Sequence, residues 1–159
     1  SFSWHEKDKK KIDEMVEFYR SRNRINHEKG VKAFPNADKT LKYLKEKGYH
    51  LGVVSSKKQE FVRLGLEQND LLKYMDVVIG SDDVEKHKPH PEPIYKALDM
   101  IGVSPMNAIY VGDHSNDVVA AKNAGLKSVG VSYSLHYKEL LESKPDYVIE
   151  DLSNLTTLF

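Results

Sequence analysis

The chain has no cysteine. That excludes disulfides and thiolate metal sites, and it fits a reducing compartment. It has no excess of either charge: 24 Lys and Arg face 24 Asp and Glu, for a net charge of +0. A neutral chain lacks the basic field that grips nucleic acid or acidic membrane non-specifically, so neither is expected as a partner. No apolar run comes near the roughly 18 residues that cross a bilayer. The polar start carries no apolar h-region of a signal peptide, and the expected location is the cytoplasm. Repeats and low-complexity segments are also absent. The seven histidines are scattered, so no zinc site is legible.

What is present is a balanced composition, 40% hydrophobic and 30% charged over 159 residues, the signature of a globular domain. Cationic residues gather in His5 to Lys11 and Arg20 to Lys32, which read as solvated helix faces. Ile12, Met15, Val16 and Tyr19 recur at helical spacing, so a helix is expected over Lys9 to Arg22. Asn23 to Gly30 reads as a loop. Further helices are expected over Ala37–Lys47, Lys58–Glu67, Pro91–Ile101 and Asp117–Ala124; Gly48, Gly102 and Gly125 stand just past three of them. Strands are expected over Tyr49–Val54, Met75–Ile79, Ala108–Val111, Lys127–Val131 and Asp146–Ile149, followed by a leucine-bearing tail. Strands alternating with helices across short connections predict an α/β fold, a parallel sheet with helices on both faces. The boundary between an N-terminal helical piece and this body falls near Gly30 to Pro35.

The run Ile109-Tyr110-Val111-Gly112-Asp113-His114-Ser115-Asn116-Asp117 carries the clearest chemical signal. Carboxylates at the C-terminal end of a buried parallel strand face the crevice where such sheets bind ligands. Two hard oxygen ligands there, Asp113 and Asp117, suit Mg2+, which takes one or two carboxylates together with phosphate oxygens. Ser55 and Ser56 end another strand just ahead of a helix, where a hydroxyl and backbone N–H groups can hold a phosphate oxygen. Taken alone, serine in that position is ordinary turn chemistry. Lys88 lies in His87-Lys88-Pro89-His90-Pro91, a loop stiffened by proline. An ammonium fixed there can offset the charge of a phosphoryl group. Ser55, Lys88 and Asp113 each follow a strand, so a parallel sheet brings all three to one edge. His87, His90 and His114 read as exposed loop residues.

These residues carry a resemblance. Val53-Val54-Ser55-Ser56-Lys57, then Ile79-Gly80-Ser81-Asp82-Asp83-Val84 leading to Lys88-Pro89-His90-Pro91-Glu92-Pro93, then Tyr110-Val111-Gly112-Asp113 with Asp117, resemble the haloacid dehalogenase superfamily. The likeness is greatest to its phosphoglycolate-phosphatase-like branch. It runs from about Val31 to Leu155 and takes in Ala120-Ala121-Lys122-Asn123-Ala124-Gly125 and Asp146-Tyr147-Val148-Ile149. It implies a three-layer Rossmann-like core with the tail end of a helical cap at the N-terminus. By that resemblance residues 1–30 are a cap remnant and residues 31–159 the core. The implied activity is Mg2+-dependent hydrolysis of a small phosphorylated metabolite, phosphoglycolate-like or pyrophosphate. Ser55 and Ser56 would bind the phosphoryl group, Lys88 would steady it, Asp113 would coordinate Mg2+, and Asp117 would hold the metal or its waters from behind.

The family's first motif, an Asp-x-Asp pair that supplies the nucleophile and the general acid, has no counterpart in the sequence. The resemblance therefore implies a core whose first strand is absent, in a chain that is part of a longer enzyme and inactive alone. An absent central strand would leave two open inner edges, to be closed by a missing N-terminal segment or by exchange in a homodimer. The alternative is a non-catalytic relative that binds phosphate or a partner. A phospho-acceptor receiver domain is disfavoured, because no acidic pair or acceptor Asp stands where that fold needs them.

Overall fold

Along Val53–Val54, Val77–Val78 and Ile109–Tyr110, successive side chains enter different apolar clusters, so the sheet is covered on both faces. The computed structural model describes residues 13–16 and 36–158. Its strands are β1 (Asp13–Val16), β2 (His50–Val54), β3 (Val77–Ile79), β4 (Ala108–Gly112), β5 (Lys127–Val131) and β6 (Tyr147–Ile149). They form one sheet in the order β3-β2-β1-β4-β5-β6, and every pairing is parallel. The helices are α1 (Ala37–Glu46), α2 (Gln59–Gln68), α3 (Glu92–Ile101), α4 (Ser115–Ala124), α5 (Tyr137–Glu142) and α6 (Leu155–Leu158).

One apolar layer sets Leu41 and Leu44 of α1, Val62 and Leu66 of α2, and Leu155 of α6 against Leu51, Val53, Val78, Ile109 and Val111. The other sets Ile94, Ala97 and Leu98 of α3 and Ala120, Ala121 and Ala124 of α4 against Val54, Ile79 and Tyr110. The expected three-layer α/β architecture is thus the one observed. Helices α3 and α4 stop at Gly102 and Gly125, whose φ values of 71° and 85° place them in the left-handed region that ends a helix cheaply only with glycine. No described helix is long and apolar enough to cross a membrane.

One expectation is corrected. The helix expected over Lys9–Arg22 is replaced at Asp13–Val16 by β1, which occupies the centre of the sheet. Residues Asp13 to Met15 pair with His50 to Gly52, and Asp13 to Val16 pair with Ala108 to Val111. Two open edges, each with a row of backbone donors and acceptors, favour a strand over the weaker preference expressed by helical spacing. The gap expected from an absent first strand is therefore filled by the chain itself. The rest of Lys9–Arg22, the loop Asn23–Gly30, the boundary near Gly30–Pro35 and the remainder of residues 1–30 lie outside the described residues. In register, Asp13 is level with His50 and Ala108. The carboxyl residues Asp13 and Glu14 thus stand at the start of β1, far from the C-terminal edge. Sequence periodicity also passes over α5, a helix of six residues whose single buried side chain is Leu140.

Candidate active site

Strand β4 ends at Gly112 and α4 begins at Ser115, leaving Asp113 and His114 as a two-residue turn on the C-terminal edge. The turn is this tight because position 112 has no side chain. A Cβ there would lie 2.3 Å from the Cβ of Asp117 and 2.5 Å from its Oδ2. The close approach lets Asp117 Oδ2 accept from the N–H groups of Asp113 and His114, at 3.1 Å each. His114 returns the favour to the helix: its Nδ1 accepts from Asn116 N–H at 3.1 Å, completing a reciprocal cap. Asp113 and Asp117 are only 4% and 3% exposed. After β5, the Ser134 hydroxyl donates to the Asp113 carbonyl and accepts from His136 N–H at 2.9 Å. Asp113 is thus gripped from both neighbouring segments.

Lys88 reaches this turn from the loop before α3. Its Nζ lies 2.7 Å from Asp117 Oδ1, and the two side chains are 6% and 4% exposed. A buried ion pair repays its desolvation only with good geometry and further hydrogen bonds. Both are present, since the same ammonium donates to the Tyr110 hydroxyl at 3.1 Å. Tyr110 in turn donates to the Val54 carbonyl at 3.2 Å. The loop itself is tied down around Lys88. Asn123 Nδ2 donates to the Pro89 carbonyl at 3.1 Å, and His87 Nε2 lies 2.9 Å from the Ser81 carbonyl. The Glu92 carboxylate accepts from Glu85 N–H at 2.7 Å and from Lys86 N–H at 3.4 Å. The Glu85 N–H is the chief reason the Glu92 carboxyl sits below the usual carboxylate range.

Ser55 closes the third side. Its N–H donates to the Ile79 carbonyl at 2.9 Å, while its Oγ accepts from Lys57 N–H at 3.1 Å. With that acceptor role filled, the hydroxyl hydrogen is left to be donated. The turn after β2 is braced by the segment after β3. Asp82 Oδ1 accepts from Gln59 N–H at 2.8 Å, and Ser81 N–H donates to the Lys57 carbonyl at 2.8 Å.

Lys88, Asp113 and Asp117 are therefore brought into one hydrogen-bonded cluster, and Ser55 joins it through the preceding Val54 carbonyl. Ser56 is exposed. His114 is half-buried and caps α4, which corrects its reading as an exposed loop residue; His90 likewise accepts from Glu92 N–H through Nδ1 at 3.1 Å. Three participants were not anticipated: Tyr110, Ser134 and Asn123. Tyr110 had a signal, a phenol in an otherwise aliphatic strand two residues before Gly-Asp, because a buried tyrosine hydroxyl needs a partner. For Mg2+ the donor set is oxygen only, and Asp113 leads it. Asp117 already uses three of its roughly four lone-pair sites on Lys88 and the two N–H groups. Among the described residues no three His, Asp or Glu side chains converge as a closed metal cage. One or two carboxylates with open positions for phosphate oxygens and water is what Mg2+ accepts, and these residues fit it.

Comparisons with known proteins bear on the family and the fold. The model of the haloacid dehalogenase-like hydrolases matches residues 2–131. The chain is 40% identical over 149 residues to a Bacillus mycoides protein, Pyrophosphatase PpaX, covering 93% of this chain and 69% of that one. A solved structure from Haemophilus somnus, described as a predicted phosphoglycolate phosphatase, superposes with a TM-score of 0.76 at 32% identity, covering 80% of this chain and 57% of that one. Another from Clostridium acetobutylicum, described as a predicted phosphatase, gives 0.72 at 29%, covering 80% and 59%. The chain thus spans less than two thirds of these two solved proteins.

Proposed function

The chain belongs to the haloacid dehalogenase-like hydrolase family, and from that premise we propose that it is the body of a Mg2+-dependent phosphatase acting on a small phosphorylated metabolite, phosphoglycolate-like or pyrophosphate. The observation that carries this reading is the buried Lys88–Asp117 pair beside Asp113, on the edge that also presents Ser55. A buried ammonium aimed at a strand edge neutralises anionic oxygens far more effectively than an exposed one, because little water screens it.

In this reading Ser55 donates its hydroxyl hydrogen to a phosphoryl oxygen, and Lys88 offsets the negative charge. Asp113 holds Mg2+; Asp117 steadies both Lys88 and the Asp113 backbone, with one lone-pair direction left for the metal or its water. When bound, the ion supplies further charge neutralisation on the phosphoryl oxygens. Ser56, which is exposed, is the weaker contributor to holding the phosphoryl group. The sequence has no Asp-x-Asp pair, and the carboxyl residues of β1 lie at the wrong end of the strand. In this reading the chain holds a phosphoryl group without the family's attacking Asp, and among the described residues β1 brings no carboxylate to that edge. That absence favours a second reading, a non-catalytic relative that binds phosphate.

Calorimetry of inorganic phosphate with Mg2+, paired with a p-nitrophenyl phosphate assay, tests these statements. The expected result is phosphate binding without turnover. Turnover that persists through purification and vanishes in Asp113→Ala would overturn the predicted inactivity. No phosphate binding at all would sink the phosphoryl-site reading.

A further inference from the structure

We propose that Tyr110 is a positioning residue for Lys88: its hydroxyl, locked by the Val54 carbonyl, fixes where the ammonium points. This rests on the reading of the edge as a phosphoryl site. The argument begins with donor directions. A lysine ammonium has three N–H donors on a freely rotating bond. Two of those directions are set by described residues, one to Asp117 Oδ1 at 2.7 Å and one to the Tyr110 hydroxyl at 3.1 Å. With two vertices of a tetrahedral group pinned, the third direction is fixed as well.

Tyr110 can act this way only because of its own second bond. A phenol has one hydrogen, and here it is given to the Val54 carbonyl at 3.2 Å. The oxygen is then left as an acceptor facing Lys88. Without that lock the hydroxyl could turn its hydrogen toward the ammonium and repel it. The ring is 1% exposed, held between α3, α4 and the sheet, so the oxygen has little freedom to wander. Val54 directly precedes Ser55. One phenol oxygen on β4 therefore ties the ammonium and the serine, which arrive from two different loops, to a common frame.

The test is Tyr110→Phe, which keeps the ring and removes only the oxygen. Two quantities are read: the 15N–1H signal of the Lys88 ammonium, assigned with Lys88→Arg, and the affinity for inorganic phosphate with Mg2+. The wild type should give a slowly exchanging ammonium signal, since a pinned and buried NH3+ exchanges protons poorly with water. In Tyr110→Phe that signal should broaden or vanish, and phosphate should bind about tenfold more weakly, the scale of one lost hydrogen bond to a charged group. An unchanged signal with unchanged affinity overturns the proposal while leaving the phosphoryl site standing. A wild type that binds no phosphate defeats the site reading, yet the ammonium signal still decides the role of Tyr110. If Tyr110→Phe does not fold, the wild-type spectrum decides: the absence of a slowly exchanging Lys88 signal overturns the proposal.

Discussion

Replacing Gly112 by alanine should damage this protein more than a single methyl group ordinarily can. The new Cβ would meet Asp117 Cβ at 2.3 Å, its Cγ at 2.6 Å and its Oδ2 at 2.5 Å. A flexible side-chain end could swing away, but a Cβ is fixed to its backbone. Reaching ordinary contact near 3.4 Å requires the first turn of α4 to move by about 1 Å. Overpacking alone costs about 1–3 kcal/mol. The displaced carboxylate also loses its two backbone N–H donors and its 2.7 Å contact with Lys88, and breaking a buried pair costs about 3–5 kcal/mol. These terms overlap, because moving α4 relieves the clash as it breaks the bonds, so a total of about 3–5 kcal/mol is expected.

The assay is urea unfolding followed by circular dichroism, with Gly102→Ala as the comparison. Gly102 has φ of 71° and no atom within 4 Å of an added Cβ. It therefore suffers backbone strain alone, about 1–2 kcal/mol. With an m value of about 2 kcal/mol per molar urea, Gly112→Ala should lower the midpoint by about 1.5–2.5 M and Gly102→Ala by 1 M or less. Against a typical total stability of about 5–15 kcal/mol, Gly112→Ala can leave no folded baseline, which also agrees. A midpoint for Gly112→Ala equal to or above that of Gly102→Ala would refute the claim that the Gly-Asp turn is dictated by contact with Asp117.

Two further outcomes follow from the same cluster. Lys88→Met leaves the Asp117 carboxylate buried without a counter-charge, so it should cost about 3 kcal/mol in urea unfolding and abolish phosphate binding in calorimetry; a variant of wild-type stability would show that Lys88 is not held as described. Glu92 has a carboxyl depressed chiefly by the Glu85 N–H. Its contribution is therefore fully present above the unfolded carboxyl value of about 4.3 and is lost as pH falls through the lower folded value. The gap in urea midpoint between wild type and Glu92→Gln should be widest at neutral pH and close below about pH 4, and a gap that does not narrow on acidification contradicts that assignment.

Much of this was legible in the sequence because local and global signals agree there. Strands β2 to β6 are short β-branched or aliphatic runs bounded by turn residues, and buried parallel strands need only that. Helices α3 and α4 announce their ends by glycine, which the left-handed φ at Gly102 and Gly125 requires. Strand β1 was not legible, since Asp13-Glu14-Met15-Val16 sits among residues at helical spacing. What makes it a strand is the pair of edges on β2 and β4, contacts between residues tens of positions apart that no local window contains.

The site shows the same division more sharply. Ser55 and Asp113 could be placed because each follows a strand directly, and a parallel sheet sends every strand end to one edge; Asp117 comes with them because it stands in the first turn of α4, four residues after Asp113. Which atoms then touch was not available from spacing. Spacing offers Asp117 to a metal or its waters from behind, but does not tell that its oxygens also hold Lys88 and the N–H groups of its own turn. That outcome follows from Gly112: removing the Cβ draws the start of α4 onto the end of β4, and a carboxylate brought that close to two amide hydrogens takes them. The anion so formed is buried, which requires a cation, and Lys88 arrives with its loop anchored by Asn123 and Glu92. The ammonium in turn needs a second acceptor in an apolar layer, and Tyr110 is the one polar residue β4 can offer there. Each residue of the cluster is thus the solution to a burial problem posed by the one before it, and the result is a fixed positive charge at a strand edge.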